Sequence, residues 1–252
     1  MKLGYISIIF LFIGGLLNLN AGSIEIVLTN NIKPFVDNSS SPKGVVVDRV
    51  KKALSSIKNI KYSIDYIGDE NLLMHPPLLE NGKYDIGLRW NQPDCTSKNN
   101  KLCDFIVSKP LFQTVSKFYR RKNSTNKISH PKDIYGKNIC RPKGWFKFDL
   151  EKQGFIDGEN INITSPDSVK ECFSKLKNGK VDFVALTEYS ALPVIKSMRL
   201  SKYIESVDLL STPIIFSLIA NQKNPKAYIY IHKLNISLSK LKKIDLNKKD
   251  IE

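Results

Sequence analysis

The stretch that decides the fold runs from residue 165 to residue 186 and reads SPDSVKECFSKLKNGKVDFVAL. Ser165 can cap a helix, and Pro166 suits the first helical position. Gly179 is typical of a helix end, and residues 181–186 form a nearly continuous apolar run, as a central buried strand does. Between these signals, four residues share one stripe at helical spacing: Val169, Cys172, Phe173 and Leu176. The stretch therefore predicts a helix followed by a buried strand.

The first ninety residues repeat this alternation. Apolar and alternating runs predict strands at residues 23–28, 62–66 and 84–90. A helix is predicted between the first two strands from a stripe of Val47, Val50, Leu54 and Ile57. Alternating strands and helices favour an α/β sheet over a sandwich or a helix bundle.

The second half continues in the same way. Strands are predicted at residues 136–140, 161–163 and 214–220, and a helix is predicted from Gly144 to about Gly154. A last helix is expected to begin at Asn224-Pro225. Its inner stripe consists of Ala227, Ile231, Leu234, Leu238 and Leu241.

The amino terminus has the three parts of a secretory signal peptide, which we assign to residues 1–22. Lys2 supplies the positive charge, residues 5–17 are mostly apolar, and small residues follow at 21–23. The apolar run is short for a membrane span, which needs about 20 residues. Because bulky Leu19 makes the cleavage site imperfect, an uncleaved anchor stays open as an alternative. We expect the remaining chain to act in the periplasm.

The net charge is +15. Lysines are scattered rather than clustered, with denser patches only at residues 117–122 and 240–249, so nucleic-acid binding is not expected. A basic surface of this kind could also favour an anionic ligand or an anionic membrane face.

Four cysteines agree with an oxidising compartment. Cys95 and Cys103 flank a polar loop that a disulfide could close, which would leave Cys140 to pair with Cys172. Four cysteines allow three pairings, and spacing alone does not exclude the others. No pair has C-x-x-C spacing and the histidines are far apart, so neither a metal site nor a cofactor is expected.

The order of short motifs along the chain resembles the type II periplasmic solute-binding proteins, specifically the polar-amino-acid-binding branch (bacterial extracellular solute-binding family 3). The resemblance covers essentially the whole chain after residue 22. Its markers are Lys33-Pro34-Phe35, Gly44 to Asp48, Asn81 to Ile86, Asp104 to Leu111, Ile134 to Lys137, Leu176 to Asp182, and Asn224-Pro225 leading to Leu234-Asn235.

This resemblance implies an α/β fold of two lobes, joined by a hinge, with a ligand held in the cleft between them. Lobe 1 is expected to comprise residues 23–121 and 213–252, and lobe 2 residues 122–212. The implied function is capture of a small polar or anionic, amino-acid-like solute by a monomer, which delivers it to an ABC-type permease in the inner membrane.

The resemblance also places candidate ligand-binding residues. Phe35 matches an aromatic that covers the ligand. The family's carboxylate-binding Arg and its acidic residue for the ligand ammonium are displaced here, and Arg89 and Glu188 are the nearest substitutes. The full predicted set is Phe35, Arg89, Trp90, Trp145, Phe146, Thr187 and Glu188.

Two other functions remain open. A non-transport accessory role, for example beside a periplasmic quinoprotein dehydrogenase, would agree with the displaced anchors and with the aromatic segment Gly144-Trp145-Phe146. A cyclohexadienyl-dehydratase-like activity would need a placed acid, which Glu188 with Arg89 could supply. No nucleophile, zincin or phosphate-loop motif is present in the sequence, so we expect no catalysis.

Overall fold

The structure is a computed structural model that describes residues 23–68, 77–90, 101–125 and 127–241. The predicted signal peptide and Cys95 lie outside the described residues. Within them, the strands are β1 (Ile24–Thr29), β2 (Tyr62–Ile67), β3 (Ile86–Trp90), β4 (Phe105–Val107), β5 (Phe112–Arg121), β6 (Asn138–Cys140), β7 (Asn162–Thr164), β8 (Phe183–Thr187) and β9 (Ile204–Asn221).

The described α-helices are α1 (Val45–Ser55), α2 (Pro77–Glu80), α3 (Phe148–Glu151), α4 (Val169–Lys177), α5 (Glu188–Ser197) and α6 (Ala227–Lys240). Two short 3-10 helices, Lys101–Asp104 and Pro131–Ile134, precede β4 and β6.

The strands are ordered β2-β1-β3-β9-β5-β8-β6-β7, and β4 also pairs with β9. β1, β2 and β3 are parallel to one another, and so are β6, β7 and β8. Between these two groups, β5 and β9 form a long antiparallel ribbon. The ribbon pairs with β3 on one side and with β8 on the other, so it joins two α/β lobes.

The ribbon contains one irregularity. Its register shifts between Ser116 and Phe118 of β5, which pair with Thr212 and Val207 of β9, so this is a bulge whose extra residues lie on β9. Phe112 lies before the shift and packs in the core of the first lobe, whereas Phe118 and Tyr119 lie after it and pack in the cores of the second lobe. The change from one lobe to the other therefore occurs at this bulge.

Each lobe has its own apolar interior. In the first lobe, α1 and α6 cover one face of the sheet, with Val47 and Val50 of α1 and Ile231 of α6 fully or almost fully buried. In the second lobe, Cys172, Phe173 and Leu176 of α4 pack on β8. These are the helical stripes that the sequence predicts, so the α/β assignment is confirmed.

Three elements differ from the sequence predictions. Ser168, rather than Ser165, caps α4, because its hydroxyl accepts a hydrogen bond from the backbone N–H of Glu171 at 3.2 Å. The helix predicted from Gly144 begins only at Phe148, because the backbone at Trp145 pairs with Lys33 as an isolated β-bridge. The strand predicted at 214–220 extends back to Ile204, where its partner is the distant second half of β5.

Candidate ligand-binding site between the lobes

The loop after β1 holds Phe35 in place. The Phe35 N–H donates to the carbonyl of Ile32 at 2.7 Å, and its carbonyl accepts from the N–H of Val46, at the start of α1, at 3.1 Å. Gly44 makes this approach possible. Its φ is +111°, and a Cβ at this position would lie 2.3 Å from the Phe35 carbonyl oxygen. Only glycine therefore fits beside Phe35.

Phe35 is fully buried and lies among aromatic rings from both lobes. Its centroid is 4.9 Å from that of Phe216 and 5.5 Å from that of Phe112, both on the central ribbon. Across the boundary, it is 5.8 Å from Phe146 and 5.8 Å from Tyr189, which belong to the second lobe. Such tilted arrangements are favourable for aromatic pairs.

A second row of rings continues from Phe146. Phe146 stacks on Phe148 with centroids 4.4 Å apart, and Phe148 stacks on Trp90 of the first lobe with centroids 3.5 Å apart. The two lobes thus meet along a set of seven rings, which we call the aromatic seam. Its members are Phe35, Trp90, Phe112, Phe146, Phe148, Tyr189 and Phe216.

A buried ion pair supports the second-lobe side of the seam. Arg141, at the end of β6, donates through both terminal nitrogens to Asp149 of α3, at 2.5 and 2.8 Å. It also donates to the carbonyls of Ala185 and Phe146, and its guanidinium lies 5.3 Å from the Phe146 ring centroid. Ser116 of β5, which lies beside the bulge of the ribbon, donates to Asp149. Arg141 and Asp149 are 2% and 0% exposed, so this network is almost dry.

A more exposed ion pair lies at the start of α5. The Lys117 ammonium is 2.9 Å from Glu188 and 3.4 Å from Asp208 on β9. The hydrogen bond with Glu188 raises the pKa of Lys117, against a smaller opposing effect of burial. Glu188 is therefore held by a neighbouring lysine of the ribbon.

Comparison with solved structures identifies the architecture. YckB from Bacillus subtilis superposes with a TM-score of 0.61 at 18% identity, covering 86% of this chain and 83% of that one. The GluR0 ligand-binding core from Nostoc punctiforme, solved with L-glutamate, gives a TM-score of 0.52 at 18% identity, covering 85% and 91%. The BvgS VFT2 domain from Bordetella pertussis gives 0.52 at 15% identity, covering 89% and 90%. The fold is that of the two-lobed periplasmic binding proteins.

No protein-family model and no curated protein matches the chain. The periplasmic-binding-protein fold is therefore established by structure, while the polar-amino-acid-binding branch rests on the sequence resemblance alone. In this fold, the aromatic seam occupies the boundary between the lobes.

The predicted site residues fall into four groups. Phe35, Trp90 and Phe146 meet in the aromatic seam. Trp145 packs its side chain against the core of the second lobe. The backbone of Trp145 nevertheless bridges to Lys33 of the first lobe, so this residue contributes to closure through its main chain.

Thr187 and Glu188 lie at the start of α5, where the resemblance implies a ligand-ammonium site. Thr187 is buried, and its hydroxyl is 3.2 Å from that of Ser190. Glu188 is paired with Lys117, as described above. The backbone N–H of Tyr189 donates to the hydroxyl of Thr114 on β5 at 3.4 Å, which ties the helix start to the ribbon.

Arg89 lies on a different face of the sheet from the seam. Its neighbours Leu88 and Trp90 pack in the core under α1 and α6, and side chains alternate along a strand. Arg89 is paired in register with Ser217 of β9 and is 7% exposed. Burial lowers the pKa of its guanidinium. The structure thus separates Arg89 from Phe35 and Phe146.

Sequence reasoning missed the other members of the site, which are Phe112, Phe148, Tyr189, Phe216, Arg141 and Asp149. Phe146-x-Phe148 was visible as an aromatic pair, and Tyr189 follows a predicted site residue directly. The pairing of Arg141 with Asp149 had no signal in the sequence, because both residues read as ordinary surface charges.

Cys140 and Cys172 form a disulfide that links β6 to α4, as predicted. Cys103 is also disulfide-bonded, while its predicted partner Cys95 lies outside the described residues. Among the described residues, no group of three or more metal-ligating side chains is present. No helix in the same residues is long and apolar enough to cross a membrane.

Proposed function

We propose that the protein is an exported, periplasmic solute-binding protein, which holds a small solute between its lobes and presents it to an ABC-type permease. It acts as a monomer, without a cofactor and without chemistry. The observation that carries this proposal is the aromatic seam, because Phe35 and Trp90 from one lobe meet Phe146 and Phe148 from the other. Contacts of this kind exist only when the lobes are together, so a ligand that touches both lobes stabilises the closed form.

The hinge supports the same proposal. The lobes are joined by the β5–β9 ribbon, and its bulge, between Val207 and Thr212 of β9, lies between the two cores. A bend at one irregular point of a ribbon lets the lobes separate while each core stays packed.

A thermal-shift screen tests the proposal. The full chain, purified from the envelope with its disulfides intact, is melted against amino acids, small carboxylates, polyamines and uncharged aromatic compounds. A ligand of the folded state raises the midpoint, by about 2.7 kcal/mol of stabilisation at a hundredfold excess over its Kd. The shift should be lost in Phe146→Leu and kept in Tyr203→Leu, which changes an aromatic residue of the same lobe that is 57% exposed. A screen with no shift would contradict the proposal.

A non-transport accessory role is the second candidate. It is favoured by the direct contact between seam rings of the two lobes, since the ring centroids of Trp90 and Phe148 are 3.5 Å apart. A partner protein could recognise such a closed surface without a bound solute. This candidate predicts that no compound shifts the midpoint, and that cross-linking in intact cells captures one periplasmic protein such as a dehydrogenase.

We do not favour a dehydratase. A general acid needs access to the substrate and a pKa suited to proton transfer. Glu188 is held by Lys117 at 2.9 Å, and Arg89 lies on a different face of the sheet from the seam. A cyclohexadienyl substrate incubated with the protein should therefore be recovered unchanged.

A further inference from the structure

The last helix of the first lobe, α6, carries apolar side chains on two faces. Its inner face includes Ile231 and Leu234, which are buried in the lobe core. On its outer face, Tyr228, Ile229 and Ile236 are 60%, 54% and 46% exposed. Of the large apolar side chains that are exposed among the described residues, both isoleucines lie on this helix. Single apolar side chains are ordinary on a surface, whereas several on one helix face form a patch that a partner can cover.

The two exposed isoleucines alternate with lysines. Ile229, Lys233, Ile236 and Lys240 are spaced four, three and four residues apart, which places them in one row along the helix, and all four are exposed. We call this row the outer stripe of α6. A lysine side chain can lie along apolar surface while its ammonium group reaches outward, so both kinds of residue can act on the same partner.

A third lysine approaches α6 from one flank. The Lys109 ammonium donates to the Ser239 hydroxyl at 2.7 Å, and the Lys109 backbone N–H donates to the Asn235 side chain at 2.6 Å. On the other flank, the Ser237 hydroxyl accepts a hydrogen bond from Ser56, which follows α1, at 2.7 Å. The outer stripe therefore lies between a lysine-bearing loop and the end of α1.

The acidic groups that contact the α6 region lie at its start. Residues 209–244 contain no Asp or Glu. Asp85 accepts a hydrogen bond from the side chain of Asn224 at 2.9 Å, and the carbonyl of Asp104 accepts from the N–H of Gln222 at 3.2 Å. Both contacts precede the first residue of the helix, whereas the lysines of the outer stripe belong to its middle and its end.

The neighbouring helix α1 has one acid, Asp48, in its first turn. The charge of Asp48 acts on Tyr66 and on Tyr189 of the aromatic seam. The hydrogen bond between Ser56 and α6 is made at the other end of α1. Asp48 is thus directed towards the seam, and the charge along the outer stripe is positive.

This combination favours an anionic lipid surface as the partner. A second copy of this chain, with a net charge of +15, would place lysines against lysines. A stable protein partner needs a broad, shape-matched area of about 800 Å² on each side, whereas the outer stripe is one row on a single helix. A lipid surface can be contacted by one row of apolar side chains, and its phosphates attract the adjacent lysines.

We propose that the outer stripe of α6 binds the first lobe to an anionic phospholipid surface. Ile229 and Ile236 enter the boundary between headgroups and acyl chains, and Lys233 and Lys240 bind lipid phosphates. The opposite face of the helix packs in the lobe core, so the stripe points away from the aromatic seam and leaves the cleft accessible to a solute. This inference goes beyond the proposed function and does not depend on it.

Co-sedimentation with vesicles tests this inference on the full chain, purified with its disulfides intact. The vesicles consist of phosphatidylcholine alone, or of phosphatidylcholine with about 30% phosphatidylglycerol. We expect the partition coefficient to be at least about tenfold higher for the anionic vesicles, and to fall when the salt is raised to about 0.5 M. Residues 5–17 are mostly apolar and would bind both kinds of vesicle, so the difference between the two reports the contribution of charge.

Variants of the isoleucines test the apolar part of the stripe. The double variant Ile229→Gln, Ile236→Gln should bind anionic vesicles at least about tenfold more weakly, because two apolar side chains no longer leave water on binding. The matched control Leu192→Gln, Leu209→Gln removes two other exposed apolar side chains and should bind as the parent does. Urea unfolding of each variant establishes that it is folded before binding is measured.

Variants of the lysines separate the stripe from the general positive charge. The double variant Lys233→Gln, Lys240→Gln should bind anionic vesicles about tenfold more weakly, while Lys233→Arg, Lys240→Arg should bind as the parent does. The matched control Lys170→Gln, Lys180→Gln removes the same charge from exposed positions of the second lobe, and should change the partition coefficient less than about threefold.

Three results would each overturn the inference: equal binding of the parent to both kinds of vesicle, unchanged binding of the isoleucine variant, or equal losses in the two pairs of lysine variants. A dimer of the parent in sedimentation velocity that is lost in the isoleucine variant would also overturn it, because the stripe would then bind a second copy. The thermal shift produced by a solute should be the same in all these variants. Either proposal can therefore fail while the other stands.

Discussion

The aromatic seam and the Arg141–Asp149 network lie side by side but are built on opposite principles. The seam joins the two lobes through ring contacts, which need no pairing of a donor with an acceptor and can be remade with a ligand. The network joins the end of β6, α3 and Ser116 of β5 through directed hydrogen bonds to one carboxylate. The difference indicates two separate roles. The network fixes Phe146 and Phe148, and the ring contacts of the seam form and break as the lobes close and open.

The largest effect is expected from breaking the network. Arg141→Met leaves Asp149 as an uncompensated carboxylate that is 0% exposed, and should cost about 3–5 kcal/mol of unfolding free energy. The double variant Arg141→Met, Asp149→Leu removes both charges and should recover much of this loss. Urea unfolding measures the free energy of unfolding of the single and the double variant. A loss below about 1 kcal/mol in the single variant would mean that the network does not support the seam.

The second-largest effect is expected at Gly44, which supports Phe35 on the first-lobe side of the seam. Gly44→Ala places a methyl group against the Phe35 carbonyl and forces a non-glycine residue to a φ of +111°, so we expect a loss of about 2 kcal/mol or more. Gly158→Ala is a matched control, since Gly158 has a φ of +80° and no neighbouring atom lies within 4 Å of the position that its Cβ would take. It should cost less, about 1 kcal/mol. Equal losses would show that backbone strain alone, and not the position of Phe35, decides the result.

A smaller effect is expected at the exposed ion pair of the ribbon. Lys117→Met should cost about 0.5–1 kcal/mol, because the pair is only partly screened from water. The raised pKa of Lys117 means that its contribution is full below the ordinary value of 10.5 and is lost as the pH rises through the folded pKa. The parent and the variant should therefore converge in stability as the pH rises beyond 10.5 and through the folded pKa of Lys117. A difference in stability between the parent and Lys117→Met that persists at this high pH would assign the effect to packing of the Lys117 side chain.

The smallest effect belongs to a surface pair beside the seam. The hydrogen bond from Lys147 lowers the pKa of Asp157, which lies 2.8 Å away. Its contribution is present above the unfolded value of 3.8 and is lost as the pH falls through the folded value. Asp157→Asn should cost about 0.5 kcal/mol at neutral pH and progressively less as the pH falls below 3.8, as measured by urea unfolding over this range.

The sequence predicted the lobe interiors well and the candidate site only in part. The stripe of α4 and the apolar run of β8 are local patterns, and the structure has them where they were expected. Phe35 and Phe146 both belong to the predicted set and lie together, but the other partners of Phe35 come from elements up to 181 residues away: Phe112, Tyr189 and Phe216. No local pattern reports such pairings.

Arg89 shows why the rest could not be predicted. An arginine at a strand end is a reasonable anchor for an anion, yet the alternation of side chains turns it away from Leu88 and Trp90. Which of the two faces belongs to the cleft depends on where α1 and α6 pack. That placement is a property of the folded lobe and not of the strand.

By itself, the sequence determined the alternation of strands and helices, predicted the Cys140–Cys172 disulfide as one of three possible pairings, and indicated the two-lobed fold that the comparisons later supported. Only the tertiary structure decided that the lobes meet through stacked rings, and that Arg141 and Asp149 neutralise each other beneath them. The physical reason is the separation along the sequence over which each kind of signal acts. Periodicity and turn signals act over a few residues, whereas ring stacking and buried charge pairing depend on which distant segments the ribbon brings together.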